Sequence, residues 1–501
     1  DKSLVVAELS EQGVARYRLL ETLRQFGWEK LEAAREAESL GERHARYYLA
    51  QAEEGERGLR GRDQVDWLWR LEADHDNLRA GLTWLESRGQ VDPALRLAGA
   101  LAVFWAIRGY YAEGRARLER LLARPEAAES WAERGKALWG LGRLADRQGD
   151  FGVVRTYFEE SRACAARAGD RETIIRALIG LGKWAVNQDD RRADQWLAEA
   201  LARARELGEP WAIAAVLGEK AQLEAAQGDL VLAQSLSEER LALARQMGDT
   251  WEVNFALHTL GQFALNRGDD ARARALFDEK LAIARALGDR SSIATTLCFL
   301  GQVDAAQGAP EPARVRFEEG IAIYRDRGDQ DGIAFAACNL CELALSRGDL
   351  GAARAFAAEC LTAARIPGAE KLVTALLCSG DVALAGGDGS AAEGYLAEAL
   401  ALLGPAGRPG PTAQILQGFA RVAATRNQPA RALRLAGRAA TLRGWNAYRL
   451  ASIDLALLER ALRPLRDAPG GLSPDEQAAA WAEGEAMATE QAVADALSRE
   501  E

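Results

Sequence analysis

The feature that most constrains this chain is a glycine that returns about every forty residues. Successive spacings of 39, 40, 40, 40 and 40 residues separate Gly169, Gly208, Gly248, Gly288, Gly328 and Gly368. A second series interleaves with the first: Gly149, Asp189, Gly228, Gly268, Gly308, Gly348 and Gly387. Glycine ends helices because it adopts the left-handed conformation without a Cβ clash. Two helix ends per forty residues predict an all-α solenoid of helical hairpins.

The composition limits which partners and which cellular compartment we expect for this chain. The 501 residues carry a net charge of −11 and a pI near 5.2, which argues against direct nucleic-acid binding because that needs a positive face. No stretch of 18 apolar residues and no signal peptide is found, so we expect no membrane association. Six cysteines without a disulfide-rich pattern favour the cytoplasm.

The chain divides by pattern into six segments. Residues 1–20 alternate as a short N-terminal β-hairpin, and 21–91 form a helical linker. An atypical first repeat at 92–130 precedes seven regular repeats at 131–406 and a degenerate repeat at 407–443. A helical cap, 444–501, contains a capping box from Ser473 to Glu476 and one final helix over 477–497. The missing initial Met and the strand at the start suggest a fragment of a longer protein.

Within each repeat a small residue stands seven positions before the end of the first helix: Gly142, Gly182, Ala221, Gly261, Gly301, Cys341 and Gly380. Second helices carry Ala273 with Phe277 and Ala313 with Phe317. This pattern resembles the tetratricopeptide repeat, although Leu replaces its usual Trp and Gly-Asp its closing Pro. The resemblance implies a right-handed superhelical solenoid in which the first helices of successive repeats stack at the small residue.

The two ends carry a second resemblance. Residues 1–6 (DKSLVV) with 16–26 (RYRLLETLRQF) look like the end of the winged-helix domain in bacterial signal-transduction ATPases with numerous domains. Residues 71–79 (LEADHDNLR) look like their linker helix, and 481–493 (WAEGEAMATEQAV) like the segment before a LuxR-type DNA-binding domain. Membership of these MalT-like, LuxR-family regulators implies ATPase and DNA-binding modules elsewhere in the parent protein.

Residues that could carry catalysis or bind a cofactor lack the necessary spacing. No G-x-x-x-x-G-K-[ST] phosphate loop is found, and the three histidines, His44, His75 and His258, lie far apart. Cys338-x-x-Cys341 has no second pair at zinc spacing, and we interpret both cysteines as small packing residues. We therefore expect no enzyme activity, no catalytic residue, no cofactor and no metal.

The predicted ligand site is the concave face, which first helices line in tetratricopeptide arrays. Counted from the small residue, positions −6, −3, +1, +4 and +5 face inward. The +1 position, here called the inner column, passes from basic through amide to acidic: Arg143, Lys183, Gln222, Gln262, Gln302, Glu342 and Asp381. Neighbouring columns add Lys136, Trp139, Arg147, Arg176, Asn187, Phe255, His258, Asn266 and Phe335. Amides both donate and accept, which suits a peptide backbone, although repeat duplication also explains three glutamines in register.

Three functions agree with this pattern. The first is the sensor arm of an ATPase that regulates transcription, with a peptide or protein segment bound in the groove. The second is the arm of a defence-type relative that recognises a foreign protein. The third is a passive scaffold for oligomer assembly.

Overall fold

The computed structural model describes residues 5–9, 15–188, 190–365, 369–404, 409–442, 450–468 and 471–498. The chain is an all-α solenoid of tetratricopeptide-like hairpins. It forms two compact units, Asp1–Gly180 and Leu181–Glu501.

The first unit begins with two antiparallel strands, β1 (Val5–Leu9) and β2 (Ala15–Leu19), in which Val5 is opposite Leu19. Its helices are α1 (Glu21–Ala33), α2 (Ala37–Gly58), α3 (Gln64–Ala73), α4 (His75–Ser87), α5 (Val91–Arg108), α6 (Tyr111–Leu122), α7 (Trp131–Arg147) and α8 (Phe151–Ala168). A 3₁₀ turn, Pro125–Ala128, joins α6 to α7. Helix α9 (Arg171–Asn187) begins in this unit and ends in the next.

The second unit continues as helix pairs. These are α10 (Ala193–Leu207), α11 (Pro210–Gln227), α12 (Leu230–Met247), α13 (Thr250–Asn266), α14 (Asp270–Leu287), α15 (Arg290–Ala306), α16 (Pro310–Arg327), α17 (Gln330–Ser346), α18 (Leu350–Ala364), α19 (Ala369–Ala385), α20 (Gly389–Leu403), α21 (Pro409–Thr425), α22 (Pro429–Thr441), α23 (Leu450–Arg466), α24 (Pro474–Ala486) and α25 (Thr489–Leu497). From α11 to α22, odd numbers are first helices and even numbers are second helices.

The Gly-Asp step ends one helix and starts the next within two residues. Every glycine of the two series in the described residues has a φ between 65° and 94°; Gly368 and Asp189 lie outside those residues. After Gly248, the N–H of Asp249 donates to the carbonyl of Ala244 at 3.0 Å, which satisfies the end of α12. The Asp249 carboxylate then accepts from the N–H of Glu252 at 3.0 Å and caps α13.

Where the small residue of a first helix is glycine, it packs against the second helix of the same repeat. A Cβ added at Gly261 would lie 2.6 Å from Phe277 Cε1, and one at Gly301 would lie 2.7 Å from Phe317 Cε1. The prediction that these glycines mark the crossing between first helices of successive repeats is therefore wrong. The large aromatic ring on the second helix explains the need for glycine, since the ring occupies the space of a methyl group.

We expect Gly261→Ala to lower the free energy of unfolding by about 1–3 kcal/mol, because the new methyl group overlaps Phe277. The matched control is Gly394→Ala in α20, where nothing lies within 4 Å of an added Cβ. That change should raise stability by up to about 1 kcal/mol through helix propensity. Urea denaturation followed by circular dichroism measures both, and equal midpoints for the two variants would contradict the contact.

One predicted long helix is divided in the structure. The final helix expected over 477–497 is split into α24 and α25, because Met487 and Ala488 are extended, with ψ of 140° and 152°. The Ser473–Glu476 capping box at the start of α24 is present as predicted. Helices α3 and α4 are likewise separate, with Asp74 between them.

The 71–79 motif joins the linker helices to α5 and α6. Tyr110 donates its hydroxyl to Glu72 at 2.6 Å, and Arg79 donates to Glu113 at 2.7 Å. His75 is 5% exposed between them, and burial lowers its pKa. The hydrogen bonds of these polar residues therefore connect α3 and α4 to the helix pair α5 and α6.

Candidate ligand-binding surface

In the first unit, helix α2 covers predicted ligand-binding residues. Glu56, at the end of α2, accepts from Arg176 at 3.2 Å and forms an ion pair with Lys136. Arg176 also pairs with Glu172 at 2.5 Å, and its guanidinium lies 4.6 Å from the centre of the Trp139 ring. Arg176 and Trp139 are 6% and 7% exposed. The prediction that these two side chains face an open groove is therefore wrong.

The remaining basic candidates of this unit are less enclosed. Arg143 is half-buried, with its guanidinium 5.6 Å from the Trp139 ring, and Arg147 is half-buried near the end of α7. Of the positive charges expected at this end of the predicted site, those of Lys136 and Arg176 are offset by ion pairs with Glu56. Charge alone does not mark this unit as a binding site for an acidic ligand.

In the second unit, the −3 column contacts the second helix of its own repeat. An added Cβ at Gly218 would lie 2.3 Å from Arg240, and one at Gly320 would lie 2.8 Å from the Cys298 sulfur. The prediction that this column faces the groove is thus wrong for Cys298, which is fully buried. His258, in the same column, is half-buried and its Nδ1 atom is enclosed without a hydrogen-bond partner.

Aromatic rings extend across three successive first helices in what we call the aromatic ladder: Trp251, Phe255, His258, Phe299 and Phe335. Ring centres are 5.1 Å apart for Trp251 with Phe255 and for His258 with Phe299, and 5.6 Å apart for Phe299 with Phe335. Phe255 and Phe335 are half-buried and expose apolar surface. Phe299 escaped the sequence analysis because it stands at position −2, and it connects the rings of α13 to the ring of α17.

The amides of the inner column stand on the ladder helices α13 and α15 and on α11, the first helix before them. Gln222 is exposed and Gln262 is half-buried, and neither amide hydrogen-bonds to another described residue. Gln302 differs, since it donates to Asn339 on the next first helix at 2.7 Å. Asn187 is exposed, while Lys183 and Asn266 are half-buried. Two amides without a hydrogen-bond partner in the described residues, on helices that also carry half-buried rings, can bind a peptide through its backbone and an apolar side chain together.

The later end of the inner column is a pocket between α17, α19 and α21. Glu342 and Asp381 line it, as predicted residues, together with Gln414, Gln417 and Arg421, which the sequence analysis missed. Asp381 forms an ion pair with Arg421, and burial raises the Asp381 pKa. Arg421 continues the inner column into the degenerate repeat, so the predicted acidic end is partly neutralised.

A buried cation lies behind the ladder. Lys280 on α14 is 3% exposed and donates to the Ser292 and Thr296 hydroxyls at 2.8 and 2.6 Å. Burial lowers its pKa to about 8, and Asp289 partly opposes that shift. The ammonium contributes in turn to the low pKa of His258, which burial and then Lys280 and Arg240 lower to about 3.

We expect Lys280→Met to stabilise the chain by about 1–2 kcal/mol at pH 7, since the depressed pKa reflects a desolvation cost that exceeds the lost hydrogen bonds. Lys220→Met is the control, because Lys220 pairs at 2.9 Å with Asp194, whose side chain is 64% exposed. That change should alter stability by less than about 1 kcal/mol. A lower thermal midpoint for Lys280→Met than for Lys220→Met would contradict the desolvation cost assigned to Lys280.

Acidification should destabilise the chain through His258. Its folded pKa of about 3 lies below the ordinary value of 6.5, so the unfolded state binds the proton first as the pH falls. The contribution of the neutral His258 side chain to the free energy of unfolding is complete above pH 6.5 and declines as the pH falls towards 3. Between pH 6.5 and 5 the wild type should lose about 2 kcal/mol more than His258→Phe. Parallel urea midpoints for both proteins over that range would rule out this role of the imidazole.

Comparisons with known proteins bear on the family and the fold. Residues 252–326 match the tetratricopeptide repeat family. Over 246 residues, 48% of this chain, the sequence is 31% identical to "Putative HTH-type transcriptional regulator Mb0914c" of Mycobacterium bovis. The match covers 27% of that regulator, so the chain spans about a quarter of the curated relatives it matches.

Two solved structures resemble the chain at low identity. The apo form of the quorum sensor NprR from B. thuringiensis has a TM-score of 0.47 at 14% identity, over 68% of this chain and 97% of that one. A STAND protein with a tetratricopeptide repeat sensor from Pyrococcus horikoshii has a TM-score of 0.46 at 16% identity, over 79% and 56% respectively.

A membrane-spanning helix and a metal-binding group of side chains are both absent from the described residues. None of the helices there contains a stretch long and apolar enough to cross a membrane. In the same residues, no group of three or more His, Cys, Asp or Glu side chains is placed to hold a metal ion.

Proposed function

We propose that the chain is the sensor arm of a signal-transduction ATPase that regulates transcription, and that it binds a peptide or protein segment on the first helices of its second unit. The observation that carries this proposal is the aromatic ladder together with the amides of Gln222 and Gln262. Rings supply apolar contact and amides pair with a peptide backbone. The identity to an HTH-type regulator supports the transcriptional context.

The proposed mechanism is a population shift. The parent protein would add ATPase and DNA-binding modules to this arm and act in the cytoplasm. The arm itself would have no enzyme activity and would bind neither nucleic acid nor membrane. A bound segment can change how the arm packs on the ATPase module only if its affinity differs between the two packed states.

The test is selection from a random peptide library against the whole chain, followed by calorimetry on the enriched peptides. Replacing Gln222, Gln262 and Gln302 together by Ala should weaken binding by about tenfold or more, a loss of about 1.4 kcal/mol. Gln227→Ala, on another face of α11, should bind as the wild type does. Failure to enrich any peptide, or equal affinities for both variants, would refute the proposal.

A further inference from the structure

Four of the six cysteines lie at or beneath the pocket between α17, α19 and α21, in what we call the thiol cluster: Cys338 and Cys341 on α17, Cys360 on α18 and Cys378 on α19. All four, together with Cys298 on α15, belong to one buried hydrophobic cluster. Cys338 and Cys378 line the same pocket. Hydrogen bonding with the thiols of Cys360 and Cys378 lowers the pKa of the Cys338 thiol, and hydrogen bonding with Cys338 and Cys341 raises the pKa of the Cys378 thiol. Three successive helices therefore place thiols around one pocket and the core beneath it.

Access separates the two pairs of thiols. Cys338 and Cys378 line the pocket and are 7% and 4% exposed. Cys341 and Cys360 lie deeper, at 0% and 1%. A small oxidant entering the pocket thus meets Cys338 and Cys378 first.

Hydrogen bonding favours Cys338 as the nucleophile. Its thiol donates to Glu342 Oε1 at 3.5 Å, so a carboxylate is placed to take the proton when the thiolate forms. The Cys360 thiol instead donates to the Ala334 carbonyl at 3.3 Å, which is not a base. The pocket therefore combines an accessible thiol, a proton acceptor and a second thiol that can resolve the oxidised sulfur.

We propose that Cys338 and Cys378 form a disulfide in response to hydroperoxides, and that this bond links α17 to α19. The Cys338 thiolate attacks the O–O bond of hydrogen peroxide, giving a sulfenic acid and, with one proton, one water. The Cys378 thiol then attacks the sulfenic sulfur, and a second water leaves. The two thiols lose two electrons, and one peroxide is reduced to two waters.

The link would fix the spacing of two neighbouring first helices. Helices α17 and α19 carry Glu342 and Asp381 of the inner column, so the cross-link constrains the pocket between them. In a solenoid each repeat contacts mainly its neighbours, and their relative motion changes its curvature. Oxidation would therefore stiffen the array at this one step, whether or not a peptide is the ligand.

The experiment treats the whole chain with hydrogen peroxide, counts thiols after denaturation, and maps disulfide peptides by mass spectrometry. We expect six free thiols to fall to four, with Cys338 joined to Cys378. Cys378→Ser should leave a sulfenic acid on Cys338 that dimedone traps. Glu342→Gln should slow the loss of thiols by about tenfold or more.

Cys298→Ser is the matched control, because Cys298 has the position of Cys338 one repeat earlier but faces Gly320. Burial raises the pKa of Cys298 to about 12, so this thiol should stay reduced and its replacement should leave the oxidation rate unchanged. Circular dichroism checks that each variant is folded. Six thiols after treatment of the folded wild type, or a Cys338–Cys360 bond within one repeat, would overturn the proposal.

Discussion

Glu56→Gln is expected to destabilise the first unit by about 3 kcal/mol. Glu56 is 6% exposed and pairs with Lys136 and Arg176, and Arg176 is equally buried. Removing the carboxylate charge leaves a buried guanidinium that keeps its ion pair with Glu172 but loses the one with Glu56. Thermal unfolding followed by circular dichroism measures the loss.

The control lies one turn earlier on the same helix. Glu53 pairs with Arg96 at 2.7 Å, but the two side chains are 28% and 47% exposed, so Glu53→Gln should cost less than about 1 kcal/mol. The double variant Glu56→Gln with Arg176→Gln should recover part of the loss, because the two effects are coupled. Equal midpoints for Glu56→Gln and Glu53→Gln would show that the buried pair contributes nothing.

The aromatic ladder should carry most of the ligand affinity. We expect Phe255→Ala with Phe335→Ala to weaken a library-selected peptide by about thirtyfold or more, because each half-exposed ring contributes about 1–2 kcal/mol at a peptide interface. Calorimetry on the folded double variant measures the loss. Phe151→Ala is the control, since Phe151 is 39% exposed on α8 in the other unit. Similar affinities for the two proteins would exclude the ladder from the binding surface.

Local signals explain why so much of the solenoid follows from sequence. A glycine in the left-handed conformation and an aspartate cap act within a few residues, so the helix ends are visible in the Gly-Asp step itself. The predicted contact of the small residues was wrong because spacing alone does not show which neighbouring helix Gly261 contacts. Only the position of Phe277 on the second helix settles that question.

The site was less predictable because its main features depend on long-range contacts. Glu56 meets Arg176 across 120 residues, so nothing near Arg176 indicates that a linker helix will cover it. Arg421 neutralises Asp381 from a repeat whose pattern is degenerate. The exposure of Gln222 follows the 3.6-residue period of a helix face and is visible in the sequence, whereas Gln262 is half-buried.

The most direct measurement is photocrosslinking of a library-selected peptide that carries benzoylphenylalanine, with the crosslinked residues mapped by mass spectrometry on the whole chain. We expect crosslinks on the first helices α11, α13, α15 and α17, around Phe255, Gln262 and Phe335. Crosslinks confined to the second helices α12, α14 and α16, or to the first unit, would contradict the claim that this face binds the ligand.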